Sequence, residues 1–111
     1  MLTTNASHSA ALMAEAEENL RQVENRVRVD IEEEVRKVRR AETGLEAARE
    51  SVAARAEMRR ITANQVEANT VNPSALKEAE GQLAEAEAGL FQAEMERSTA
   101  RAEMERTVGR K

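Results

Sequence analysis

Cysteine, tryptophan and tyrosine are absent from this sequence, and phenylalanine occurs once. Without thiols there is no disulfide and no thiolate metal site, although the absence says little about compartment. Aromatic side chains bury a large area each, so a chain of 111 residues with one of them cannot fill a thick interior. Proline also occurs once and glycine four times, which leaves few turns. No stretch approaches the roughly 20 consecutive apolar residues that a helix needs to span a bilayer. The opening Met1-Leu2-Thr3-Thr4-Asn5-Ala6-Ser7-His8-Ser9 has neither a basic start nor an apolar run, so it does not read as a secretory signal. A role outside the cytoplasm would need an export signal from elsewhere, and the expectation in that case is a fragment of a longer protein.

What is present is helix-forming. The apolar share is 41% and the charged share 34%, with Ala, Glu and Arg over-represented, the composition of a long helix or coiled coil. All-β and α/β folds have little support in it. One domain is the most this length allows. Seventeen basic and 21 acidic residues give a net charge of −4, mixed along the chain, so nothing steers it toward nucleic acid.

Residues 1–9 are polar and are expected to form a disordered tail, with Ser7 or Ser9 available to cap a helix over 10–69. From Leu20 the apolar positions run Val23, Val27, Ile31, Val35, Val38, Ala41, Leu45, Ala48 and Val52. That is nine steps in 32 residues, and 32/9 ≈ 3.6, the period of one helical face. The pattern breaks at Ala68-Asn69-Thr70-Val71-Asn72-Pro73-Ser74. Asn69 suits a left-handed helix stop. Asn72, held out of the α region by Pro73, suits an N-cap, with Pro73 at the first helical position. A turn is therefore expected over 70–73 and a second helix over 74–109, ending at Gly109. Its seam reads Leu76, Ala79, Leu83, Ala86, Leu90, Ala93, Ala100 and Met104.

Folding the chain about residue 71 sets Leu76 level with Val66, Ala79 with Ala63, Ala86 with Ala56, Leu90 with Val52 and Met104 with Val38. Apolar meets apolar almost throughout. Two exceptions set Leu83 opposite Arg59 and Leu45 opposite Arg97, where the arginine heads are expected to reach water. The expected fold is all-α, a long antiparallel two-helix coiled-coil hairpin. The second helix then ends opposite about residue 34, which leaves 10–34 without an intramolecular partner although Leu20, Val23, Val27 and Ile31 continue the stripe. Soluble monomers avoid exposing such a row, so more chain or more subunits are expected.

Each candidate site has a plainer reading beside it. Glu32-Glu33-Glu34 points in several directions on a helix and has no histidine near it, so a di-metal centre does not assemble. Weak surface pairs Glu32/Arg36 and Glu33/Lys37 are expected instead. Arg36-Lys37-Val38-Arg39-Arg40 lies among acids with no aromatic to stack on a base, and reads as a solvated face. His8 has no catalytic partner. Met58, Met95 and Met104 read as seam filler. No catalytic residue, metal site or cofactor is expected. The turn Asn69 to Ser74 is either an ordinary helix connection or a partner-binding tip.

From Ile31 to Gly109 the chain resembles the periplasmic coiled-coil repeat of TolC-like outer-membrane efflux proteins. The pieces that carry the resemblance are Ile31-Glu32-Glu33-Glu34-Val35 and Leu45-Glu46-Ala47-Ala48-Arg49-Glu50-Ser51. After the turn come Leu76-Lys77-Glu78-Ala79-Glu80-Gly81-Gln82-Leu83 with Ala86, Leu90 and Ala93. Ala100-Arg101-Ala102-Glu103-Met104 and Val108-Gly109 close the match, and Ala16-Glu17-Glu18-Asn19-Leu20 resembles the family's approach to the first helix. Asn69 stands where the family's turn usually has Gly, and Val71 where it has a basic residue. The barrel-forming strands of the family are not visible. The resemblance implies a stave of the periplasmic α-barrel wall of an efflux or type I secretion channel, at the outer membrane and periplasm. It also implies a homo-oligomer, a trimer by family, with Asn69–Ser74 meeting a periplasmic adaptor and an inner-membrane transporter supplying the energy. Two rival readings stay open: a stand-alone coiled-coil scaffold or oligomerisation module, and the hairpin of a periplasmic membrane-fusion adaptor.

Overall fold

A computed structural model describes residues 2–110, with side chains for 4–109. The chain is a hairpin of two helices, α1 over Leu2–Glu67 and α2 over Pro73–Arg110, and the described residues contain no strand. The molecule measures 101 × 18 × 14 Å. At about 1.5 Å per residue, the 66 residues of α1 account for the whole length. The 38 residues of α2 cover little more than half of it.

The expected tail over 1–9 is corrected: residues 2–9 are the first turns of α1, and Met1 lies outside the described residues. Nothing in 2–9 is Gly or Pro, and Ser, Thr and Asn cost a helix only tenths of a kcal/mol each relative to Ala. Ser7 and Ser9 accordingly sit inside the helix and do not cap it. Two boundaries move by one or two residues: the turn occupies 68–72 and α2 begins at Pro73. Gly109 does not end α2, which continues to Arg110; a glycine stops a helix when it adopts a left-handed conformation, and no glycine here has positive φ.

The turn follows from local chemistry. Asn69 has φ 59°, the one non-glycine residue with positive φ among the described residues. That twist brings the Thr70 N–H to the Gln65 carbonyl at 2.9 Å and the Asn69 N–H to the Val66 carbonyl at 3.0 Å. The pair of bonds is a Schellman stop, which satisfies carbonyls that the end of a helix would otherwise strand. The Thr70 hydroxyl adds a third bond to the Gln65 carbonyl at 3.0 Å. On the other side, Asn72 Oδ1 accepts the Ser74 N–H at 2.9 Å, the N-cap bond expected for Asn before Pro.

Between the helices lies a single row of buried side chains: Val38, Leu45, Ala79, Ala93 and Ala100. Leu45 is the deepest, 2% exposed. Polar ties across the hairpin set the register. Arg101 donates to Glu42 at 2.8 Å, Arg55 to Gln82 at 2.9 Å, and Arg59 lies 3.6 Å from Glu80. Level residues therefore have numbers that total roughly 140, close to the pairing read from the turn. The two ion pairs among these ties are exposed and contribute at most about 1 kcal/mol each; the apolar row provides the stability.

Gly44 and Gly89 sit in helix interiors with nothing within 4 Å of where a Cβ would stand. Gly44→Ala and Gly89→Ala should therefore each stabilise the hairpin by about 0.5–1 kcal/mol, by removing backbone freedom from the unfolded chain. A raised thermal midpoint by circular dichroism is the expected readout. No gain at either position would show that the glycine supports a contact.

Candidate functional site

Helices offer two kinds of site here, the faces along their length and the turn at their end. Of the expected seam, Val38, Leu45, Ala79 and Ala93 are buried, and Val27, Ile31, Val35, Val52, Leu76, Leu83, Ala86 and Leu90 are half-buried. The seam is thus one continuous surface from Val27 inward. Leu20 and Val23 belong to the same helical row but are exposed, Leu20 at 58%. Every described side chain from 4 to 26 is exposed. The unpartnered arm lies nearer the amino end than the 10–34 expected from the sequence, because α1 begins at Leu2 and half-buried side chains already begin at Val27.

At the tip, Val71 is half-buried while Asn69, Thr70, Asn72, Pro73 and Ser74 are exposed. The Asn69 and Thr70 N–H groups and the Asn72 carboxamide oxygen are engaged in the turn itself. What the tip can offer a partner is a small rigid knob without charge.

The charged side chains arrange as surface pairs. Lys37 lies 3.9 Å from Glu33, as the four-residue spacing predicts, and closer to Glu34, at 3.3 Å. The bond to Glu34, with the neighbouring negative charges, raises the Lys37 pKa above its ordinary value. The Arg60 guanidinium holds the Glu57 carboxyl below the usual carboxylate range through their hydrogen bonds. Arg59, expected to send its head to water, does so and meets Glu80 there. Among the described residues no group of three or more His, Cys, Asp or Glu side chains could hold a metal ion. No helix among the described residues is long and apolar enough to cross a membrane. Grooves such as the one lined by Glu18, Arg21, Gln22, Glu24, Asn25 and Arg28 belong to one helix surface and lack the enclosing walls of a small-molecule site.

The expectation of Met58 and Met95 as seam filler is corrected. Both are more than half exposed, with Ile61 and Phe91 beside them on outward faces. The signal for this was in the spacing. Ala47, Ala54 and Ile61 each follow a seam-row position (45, 52, 59) by two residues, and so do Ala88, Met95 and Ala102 (after 86, 93, 100). Two residues are about 200° on a helix of 3.6 residues per turn, the side away from the partner helix. The chain matches no family model, no curated protein and no solved structure.

Proposed function

We propose that the chain is a non-enzymatic stave of a multi-helix wall, the periplasmic part of a TolC-like efflux or secretion channel, as the resemblance of residues 31–109 implies. The observation that carries this reading is the overhang of α1. A helical row that is buried at Val38 and Leu45 runs on, in register and uncovered, through Val23 and Leu20. Such a row stabilises the molecule only when other helices lie against it. The hairpin's thinness supports the same reading: alternating Leu and Ala on α2 lets backbones approach closely, which suits a wall one helix deep. Within this reading the tip at Asn69–Ser74 faces the adaptor, the partners are further copies of the chain, and conduction is driven by a separate transporter. The proposed location is the periplasm and outer membrane.

A scaffold that pairs through the arm alone draws on the same overhang, and scattering separates the two. Small-angle X-ray scattering on the self-associated chain should give a hollow cross-section about as long as α1 if hairpins stand side by side as a wall. A solid rod of two to four helices would replace the channel with the scaffold. A monomer at every concentration would sink both.

A further inference from the structure

The two outward faces of the hairpin carry a second packing pattern, one on each helix. On α1 it reads Ala47, Ser51, Ala54, Met58, Ile61, with steps of four, three, four and three. On α2 it reads Gly81, Ala84, Ala88, Phe91, Met95, with steps of three, four, three and four. All ten are exposed, Phe91 at 66%. Such rows are what a helix presents when it packs on two sides.

We propose that hairpins associate laterally and head to tail, the outer face of α1 in one copy packing antiparallel against the outer face of α2 in a second copy. Two independent features choose this occupant. The first is size. On α1 the large side chains, Met58 and Ile61, stand near the turn and the small ones farther away; on α2 the order is reversed. With turns level and positions paired about residue 71, Ile61 stands opposite Gly81, Met58 opposite Ala84, Ala54 opposite Ala88, Ser51 opposite Phe91 and Ala47 opposite Met95. Each large side chain meets a small one, which is how facing layers fill space without voids or overlap. Two α1 faces side by side with their turns level would set Met58 on Met58, and two α2 faces Phe91 on Phe91.

The second feature is charge. Over the stretches that carry the two rows, residues 47–61 hold four Arg against two Glu, a net of +2, and residues 81–95 hold no Lys or Arg against three Glu, a net of −3. An α1–α2 contact joins opposite signs, whereas α1–α1 and α2–α2 contacts join like signs, which disfavours them. The arm is a poor competitor as the adhesive: residues 2–26 carry two basic against four acidic residues, a net of −2, so two arms side by side repel weakly at low salt. This inference gives the stave reading its lateral contact. It stands or falls on that contact, whether or not the assembled wall conducts.

The faces of a head-to-tail contact differ, so each can be removed separately. Met58→Glu/Ile61→Glu destroys the α1 face, and Phe91→Glu/Met95→Glu destroys the α2 face; all four positions point outward, so the hairpin itself should keep its circular dichroism. In sedimentation equilibrium each variant alone should run as a monomer of 12.3 kDa, while the wild type associates. An equimolar mixture should form a 1:1 heterodimer through the one intact pair of faces, weakening as salt is raised. Dimers of one variant by itself would overturn the proposal in favour of a symmetric contact. So would wild-type-like association of both variants, or a mixture that stays monomeric. If the heterodimer forms and scattering of the wild type shows a solid rod, the channel reading fails and the lateral contact remains.

Discussion

Leu45→Ala should cost the hairpin about 2–3 kcal/mol, whereas Leu20→Ala should change the stability of the monomer by less than about 0.5 kcal/mol. Both residues are leucines on the same row of the same helix, so propensity and hydrophobicity are matched. They differ in what lies against them. Leu45 is 2% exposed between α1 and α2, and Leu20 is 58% exposed on the arm. Truncating a buried leucine loses its transfer free energy and leaves a cavity that only partly closes. The lower part of the usual 2–5 kcal/mol range applies because a two-helix interface has open sides through which it can settle. A domain of this size shifts by several degrees per kcal/mol, so thermal unfolding at a concentration low enough to keep the chain monomeric reads the difference directly. Equal effects at the two positions would mean that α2 does not cover Leu45 in solution. A large effect of Leu20→Ala that appears only as concentration rises would show the arm gaining a partner.

At the turn, Asn69→Val should destabilise the hairpin by about 1–2 kcal/mol and Asn69→Gly should be neutral or slightly stabilising. The reason is the φ of 59° at Asn69. A left-handed backbone brings Cβ against the following carbonyl, at a cost of about 1–2 kcal/mol for ordinary L-residues, and β-branching aggravates it. Asn tolerates the conformation and Gly has no Cβ to clash. The Val variant must either bear that strain or give up the two bonds that close α1, Thr70 N–H to Gln65 and Asn69 N–H to Val66. Denaturant unfolding of the three forms tests this. If Val and Gly behaved alike, the left-handed stop would not be what turns the chain.

Much of this architecture is legible without coordinates. The run Asn69-Thr70-Val71-Asn72-Pro73 spells stop, connection and cap, because each residue type acts on its own backbone within a few bonds. The row from Leu20 to Val52 declares a helix face because a 3.6-residue period admits no other regular structure. Pairing apolar positions about the turn then recovers the register that Glu42–Arg101 and Arg59–Glu80 hold. The amino end differs for a related reason. Polarity over residues 2–9 suggests a disordered tail, yet polar side chains on a helix that no Pro or Gly interrupts simply face water.

Periodicity assigns residues to a face; it does not say what covers that face. Val23 and Val38 lie on one row, and only the reach of α2 makes Val38 core and leaves Val23 in solvent. The same holds for Met58, Ile61, Phe91 and Met95, whose spacing is as regular as that of the seam but whose faces turn away from it. The sequence by itself determined two helices, the left-handed stop between them and the stripe on which they meet, since these depend on local backbone chemistry and side-chain order. Tertiary structure alone decided where burial begins along α1 and that each helix keeps a second, uncovered face, since burial depends on which element lies alongside and how far it extends.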